Sequence, residues 1–190
     1  MTKSELRKIY LEKQKSLSDV ERKEKSLQIA DQFFENFSLE SLRFLHVFLT
    51  IEKNREIETS FIYKRLWQDF LKVTTLVARV DFQTLMLENL KFTRDTKLVA
   101  NKWEILEPTK GDVINTERVD AIFVPLLCFD ERGFRVGYGM GFYDKFLSQC
   151  RADCIKIGLS YFAPIAEISD VRSFDVQLDF CITPKKIWKF

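Results

Sequence analysis

The chain has 190 residues, 46% of them hydrophobic and 31% charged, which is globular usage and excludes a disordered polymer. Lys and Arg number 30 against 28 Asp and Glu, a formal charge of +2, so no global basic field marks a dedicated nucleic-acid binder. One core can bury most apolar surface at this length, so a single domain over 1–190 is expected without disulfide or zinc staples.

Two capping boxes open the chain, Thr2 with Glu5 and Ser18 with Glu21, so one helix is predicted from about Lys3 to Lys15 and a second to about Asn36. Leu6, Ile9, Tyr10 and Lys13 recur at helical spacing in the first, and Leu27, Ala30, Phe33, Phe34 and Phe37 in the second. Phe44 to Leu49 reads as a strand buried on both faces. Thr59 or Ser60 starts a helix carrying Phe61, Ile62, Leu66, Phe70 and Leu71. Thr74 to Val80 is a β-branched run, Phe82 to Phe92 alternates like a hairpin, and Ala121 to Val124, Ile155 to Ser160 and Cys181 to Thr183 are further strands. Strands alternating with helices predict an α/β fold with a largely parallel sheet covered on both faces.

Four cysteines, Cys128, Cys150, Cys154 and Cys181, and one histidine, His46, lack the paired spacing of a zinc site. They read as thiols in a reducing compartment. The charged N-terminus has no apolar signal core and no stretch reaches membrane-span length, so a cytoplasmic protein without membrane or nucleic-acid partners is expected.

Gly137, Gly139 and Gly141, half of the chain's 6 glycines, crowd between a buried strand and a helix that begins at Phe142. Bare N–H groups leading into a helix start make an anion site. Arg135 adds a charge-assisted contact, and Asp144 can hold a divalent cation. The G-x-G-x-G spacing fits neither a Rossmann nor a Walker A loop. By itself a structural turn explains it nearly as well.

The longer stretch from Val124-Pro125 through Phe129-Asp130, Gly133 and Arg135 to Gly141-Phe142-Tyr143-Asp144 resembles the signature of the 5-formyltetrahydrofolate cyclo-ligases, also called methenyltetrahydrofolate synthetases. Three other segments match that family in order: Lys3-Ser-Glu-Leu-Arg7, Glu56-Ile-Glu-Thr59, and Asp175-Val-Gln-Leu-Asp179 followed by Ile182-Thr183. The resemblance implies the three-layer α/β/α sandwich shared with sugar-phosphate isomerases and CoA transferases. It also implies a monomeric enzyme that uses ATP and Mg²⁺ to close 5-formyltetrahydrofolate, polyglutamylated or not, into 5,10-methenyltetrahydrofolate. In the family's mechanism the formyl oxygen attacks the γ-phosphate, N10 attacks the activated carbon, and phosphate leaves.

Carried onto this chain, the resemblance gives Lys3, Arg7 and Arg135 catalytic roles at the nucleotide phosphates. ATP lies against these three and the run Val136, Gly137, Tyr138, Gly139, Met140, Gly141, Phe142 and Tyr143. Leu49, Glu56, Trp103, Tyr138 and Phe142 contact the folate, and Asp144 with Asp175 holds the metal. Glu56 suits a pterin, which presents two adjacent N–H donors to one carboxylate. Trp103 reads either as a ring stacked on the pterin or as an ordinary half-buried tryptophan. Lys3, without the family match, reads as a surface lysine. Asp144 at an exposed helix start contributes only about 0.3–1 kcal/mol to stability, so Asp144→Asn is expected to leave the melting temperature nearly unchanged.

Met140 and Phe142 stand where bacterial members often have Gly and Tyr, Phe174 stands where many relatives are polar, and the Thr50 to Arg55 connection is slightly longer. A competing reading is a non-catalytic nucleotide- or folate-binding member of the fold. Another, from the α/β pattern alone, is a phosphate-binding enzyme of sugar or acyl-CoA metabolism.

Overall fold

A computed structural model of the protein describes residues 1–190 apart from Phe82, Leu85, Lys102 and Trp103. Both capping boxes form. In α1 (Lys3–Ser16) and α2 (Asp19–Asn36), Glu5 and Glu21 accept from the backbone N–H of Thr2 and Ser18 at 2.9 and 2.8 Å. These bonds satisfy donors that a helix start otherwise leaves orphaned.

The chain then runs through β1 (Phe44–His46), α3 (Ser60–Asp69), β2 (Thr74–Asp81), β3 (Met86–Phe92), β4 (Leu98–Ala100), β5 (Leu106–Pro108) and β6 (Val113–Ile114). It continues with β7 (Ala121–Pro125), β8 (Cys128–Phe129), β9 (Arg135–Val136), α4 (Phe142–Leu147), β10 (Ile155–Leu159), β11 (Phe180–Ile182) and β12 (Ile187–Lys189). Eight strands form one sheet in the order β12-β11-β10-β7-β1-β2-β3-β6. β1 is parallel to both β2 and β7, and β10 to both β7 and β11, while β3, β6 and β12 add antiparallel edges.

Alternation divides the sheet residues between two cores. Leu45, Val77, Phe123 and Ile157 face α2 and α3, where Ile29, Phe33, Ile62 and Leu66 cover them. Leu76, Ile122, Val124 and Cys181 face α4, through Phe146 and Leu147. A third cluster docks Leu6 and Tyr10 of α1 on Leu127, Cys128 and Val136. Helices on both faces of a mostly parallel sheet make the expected α/β architecture. No helix among the described residues is long and apolar enough to cross a membrane.

Some boundaries differ from expectation. The first strand ends at His46 instead of Leu49, because Phe48 gives its carbonyl to the Thr59 hydroxyl at 2.6 Å and leaves the ladder. Leu71 lies beyond the end of α3 and is exposed, and Leu27 is turned outward on α2.

The topology creates a crevice. From β1 the chain crosses through α3 to β2 on one side, and from β7 through α4 to β10 on the other. Neighbouring parallel strands whose continuations diverge leave a gap beyond their carboxyl ends, where open α/β sheets bind ligands.

Candidate active site

A cavity of about 480 Å³ occupies that gap, within the usual range for a small-molecule site. Leu49 enters from beyond β1 and Pro125 from the end of β7. Lys3 and Arg7 come from α1, Arg135 from β9, Gly137 to Gly141 from the following loop, and Phe142, Tyr143 and Asp144 from α4. Glu56 and Asp175 complete the expected set on its walls. Residues up to 172 positions apart in sequence thus meet around one space. Val136 is the exception: its side chain packs into the core with Leu6 and Cys128, so only its backbone faces the loop. Trp103 lies outside the described residues.

One end of the cavity is cationic. Arg7 donates through Nε to the Gly137 carbonyl at 2.9 Å and makes no ion pair among the described residues. Lys3 pairs with Asp175. The Arg135 guanidinium, almost wholly buried, donates to Asp144 Oδ1 at 2.8 Å and to the Val176 carbonyl at 2.5 Å. Burial pushes Arg135 down and Asp144 pulls it back up, and a guanidinium so paired stays charged. Three cations against two acids leave this end net positive.

The glycine loop is built for close approach. Gly139 and Gly141 have φ of +100° and +71°, a region side chains rarely adopt. A Cβ on Gly139 would also stand 3.3 Å from the Arg7 guanidinium, whereas one on Gly137 would meet nothing within 4 Å. The helix behind the loop has only 6 residues, under two turns. Its dipole is correspondingly small, so the cations and loop amides supply the attraction for an anion.

The other end holds Glu56, which is buried. Its Oε2 accepts from the Ile51 backbone N–H at 2.8 Å, and Tyr138 lines the same cavity. Burial dominates and pushes the carboxyl up to about 7.

Asp144 and Asp175 each commit one oxygen. Asp144 Oδ1 accepts from Arg135 and the Val176 N–H, and Asp175 Oδ2 from Lys3 and the Arg172 N–H. The second oxygen of each, Asp144 Oδ2 and Asp175 Oδ1, accepts no hydrogen bond among the described residues. Such a pair fits Mg²⁺, which takes one or two carboxylates and fills its shell with phosphate and water. Among the described residues no three-member cluster of His, Cys, Asp and Glu forms a protein-only metal cage.

Three residues were not anticipated. Glu107 on β5 lines the cavity and accepts from the Val80 N–H at 3.0 Å. It lies just beyond Trp103 in sequence, before Pro108, the one sequence clue to it. His46 lies buried beneath Tyr143, with Nε2 3.3 Å from the phenol oxygen and Nδ1 2.7 Å from Asn89 Oδ1. Asn89 spends its amide nitrogen on Thr116, so its oxygen faces His46 and takes the Nδ1 proton, leaving Nε2 to accept from Tyr143. Burial pushes His46 down to about 4, which keeps the ring neutral. Gln14, the third, stands seven residues after Arg7 on α1 and is buried between two loops.

A sheet crevice with a cationic glycine loop at one end and a buried carboxylate at the other is the kind of α/β site in which a polyphosphate and a ligand rich in N–H donors can bind side by side. Comparison with known proteins narrows the class. The profile of the 5-formyltetrahydrofolate cyclo-ligase family matches residues 1–184, and the chain belongs to that family. It is 31% identical to the Escherichia coli 5-formyltetrahydrofolate cyclo-ligase over 147 residues, covering 76% of this chain and 79% of the relative. The Mycoplasma genitalium cyclo-ligase is 28% identical over 182 residues, 95% of this chain and 96% of the relative. In structure the chain is similar to Aquifex aeolicus 5,10-methenyltetrahydrofolate synthetase, with a TM-score of 0.84 at 25% identity over 100% of this chain and 93% of the other.

Proposed function

We propose that the chain uses ATP to convert 5-formyltetrahydrofolate into 5,10-methenyltetrahydrofolate, with release of ADP and phosphate. Family membership supports the reaction. The observation that carries it onto these residues is the single cavity joining the cationic loop to Glu56. Phosphoryl transfer asks a protein mainly to position two reactants in line and to neutralise developing charge. Lys3, Arg7 and Arg135 meet the phosphates, and the amides of the Gly137 to Gly141 loop hold them. Glu56 accepts the paired pterin donors, with Leu49, Tyr138 and Phe142 against the folate. On this reading the formyl oxygen attacks the γ-phosphate as ADP leaves, and N10 then closes the ring as phosphate departs.

Mg²⁺, held by Asp144 and Asp175 with the phosphates, would supply further neutralisation of the phosphate oxygens. The four free thiols, three of them buried, suit a cytoplasmic enzyme, which we read as a monomer. Incubation with 5-formyltetrahydrofolate, Mg²⁺ and ATP should generate the methenyl absorbance. Intact nucleotide binding without product would favour a non-catalytic member of the fold.

The metal reading predicts that Asp144→Asn and Asp175→Asn raise the Mg²⁺ concentration needed for half activity, since each removes one full negative charge. The pairing of Asp144 with Arg135 changes the stability expectation: Asn leaves a buried guanidinium without its counter-charge, so this variant should also melt lower. Activity against Mg²⁺ at saturating ATP and folate, with a thermal melt, separates the effects. Unchanged Mg²⁺ dependence with lost stability would confine both aspartates to the fold.

A further inference from the structure

His46 ends β1 near the centre of the sheet, and its ring bridges the core to the cavity wall. Nδ1 lies 2.7 Å from Asn89 Oδ1 and Nε2 3.3 Å from the Tyr143 hydroxyl, with His46 and Asn89 both buried. The strands that carry them, β1 and β3, are not neighbours, and β2 runs between. Two spacings of about 4.8 Å separate them, and the β2 residue opposite Asn89 is Ala78, whose methyl leaves room for the side chains to meet. Asn89 donates its amide to Thr116 Oγ1 at 3.1 Å, which turns its oxygen to the ring. Nδ1 therefore carries the imidazole proton, and Nε2 is left with a lone pair. A phenol has one proton. Given to Nε2, it does not reach the cavity, where Tyr143 stands on the wall two residues after Gly141.

We infer that His46, oriented by Asn89, is a positioning residue that takes the Tyr143 proton and so presents the phenol oxygen to the cavity as a hydrogen-bond acceptor for an N–H of the folate. The inference rests on the folate reading of the cavity. Neither His46 nor Asn89 lines that cavity, so both act through Tyr143. Phosphate oxygens of ATP only accept, so a hydroxyl without a spare proton gains nothing from them and is matched to a donor. 5-Formyltetrahydrofolate has such donors beyond the pair given to Glu56, at N10 and on its reduced ring. The hydroxyl therefore helps to sort the two substrates: the polyphosphate goes to the cations and loop amides, and the folate goes where lone pairs meet its N–H groups. In the other tautomer Nε2–H would donate to the phenol, and the phenol proton would turn into the cavity against those same N–H groups. Burial keeps the ring neutral, so the variable is the tautomer and not the charge.

His46 is the chain's single histidine, so the ¹⁵N-labelled imidazole spectrum of the untagged, ligand-free protein needs no assignment. It should show the proton on Nδ1 and an unprotonated, hydrogen-bonded Nε2, whose signal moves downfield in Tyr143→Phe as that bond is lost. Asn89→Leu removes the acceptor for Nδ1–H and should shift the ring to the Nε2–H tautomer. Calorimetry on that variant should show 5-formyltetrahydrofolate binding weakened about tenfold and ATP binding little changed. Merely loosened packing would lower the melting temperature without changing the tautomer or separating the two ligands. A wild-type ring protonated on Nε2, or an Nε2 signal that does not move in Tyr143→Phe, overturns the inference even if Asn89→Leu does not fold. A changed tautomer with unchanged folate affinity in Asn89→Leu overturns it as well. Failure of the wild-type protein to bind 5-formyltetrahydrofolate would instead overturn the folate reading, while the ligand-free spectrum would still report which way the Tyr143 proton points.

Discussion

Arg135→Lys lowers kcat about a hundredfold, on the scale of removing one donor aimed at transition-state charge, and changes ATP affinity far less. Lysine keeps the positive charge, so ground-state attraction to the polyphosphate largely survives. What it loses is the planar fork. Arg135 already commits one terminal nitrogen to Asp144 at 2.8 Å and the other to the Val176 carbonyl at 2.5 Å. Those two anchors fix the guanidinium plane, and the remaining N–H bonds present a preset array to the transferring phosphoryl group. A lysine ammonium cannot hold both anchors and offer the same array, so the loss falls on charge that develops during transfer. The melting temperature should fall too, by about 2–4 °C for each kcal/mol of lost anchoring in a chain of this size. Steady-state kinetics beside a thermal melt separate the two roles: wild-type kcat with lowered stability would make Arg135 a structural residue.

Which parts of the protein could be read from sequence follows from how local their causes are. The starts of α1 and α2 were legible because a capping box is complete within four residues, and both formed as expected. Strand β7 was legible because a strand buried on both faces is continuously apolar, and β10 because Ile155, Ile157 and Leu159 recur at every second position. β8 and β9 have two residues each and carry no period, so only the folded hairpin reveals them. The ends of helix and strand runs were less legible, since Thr59 stops β1 from across a loop. Within the site, Glu56, Arg135 and Asp144 were found through family segments, but their interactions were not. Gln14 illustrates the limit: its two partners lie 40 and 124 residues away, and nothing near position 14 distinguishes it from a surface glutamine. His46 is similar, because its role depends on Asn89 and Tyr143, 43 and 97 residues later. A second-layer hydrogen bond is a property of the fold, and a single sequence contains its ends without their pairing.

Glu56→Gln raises the KM for 5-formyltetrahydrofolate about tenfold or more near pH 8, with ATP affinity little changed. The amide keeps the shape of the side chain but sets one N–H donor against a pterin donor. It also removes a charge-assisted pair, which contributes about 1.5–3 kcal/mol. The pH dependence makes the test sharper. Burial pushes the Glu56 carboxyl up to about 7 against the ordinary 4.5, so the accepting form is depleted as pH falls through 7. Wild-type folate affinity should weaken there, approaching tenfold per pH unit below the midpoint, while the Gln variant shows no such slope. Stability of the ligand-free protein runs the opposite way. Between 4.5 and 7 the folded state keeps a proton that the unfolded chain has released, so this residue's contribution to stability falls as pH rises through that window and stays low above it. Glutamine cannot ionise and escapes that loss. The variant should therefore melt higher than wild type at pH 8, with the gap closing toward pH 4.5, even as it binds folate more weakly. Gain in stability and loss of affinity from one substitution identify a carboxylate kept charged in a buried place for its ligand. Unchanged KM together with an unchanged pH slope would remove Glu56 from the pterin site.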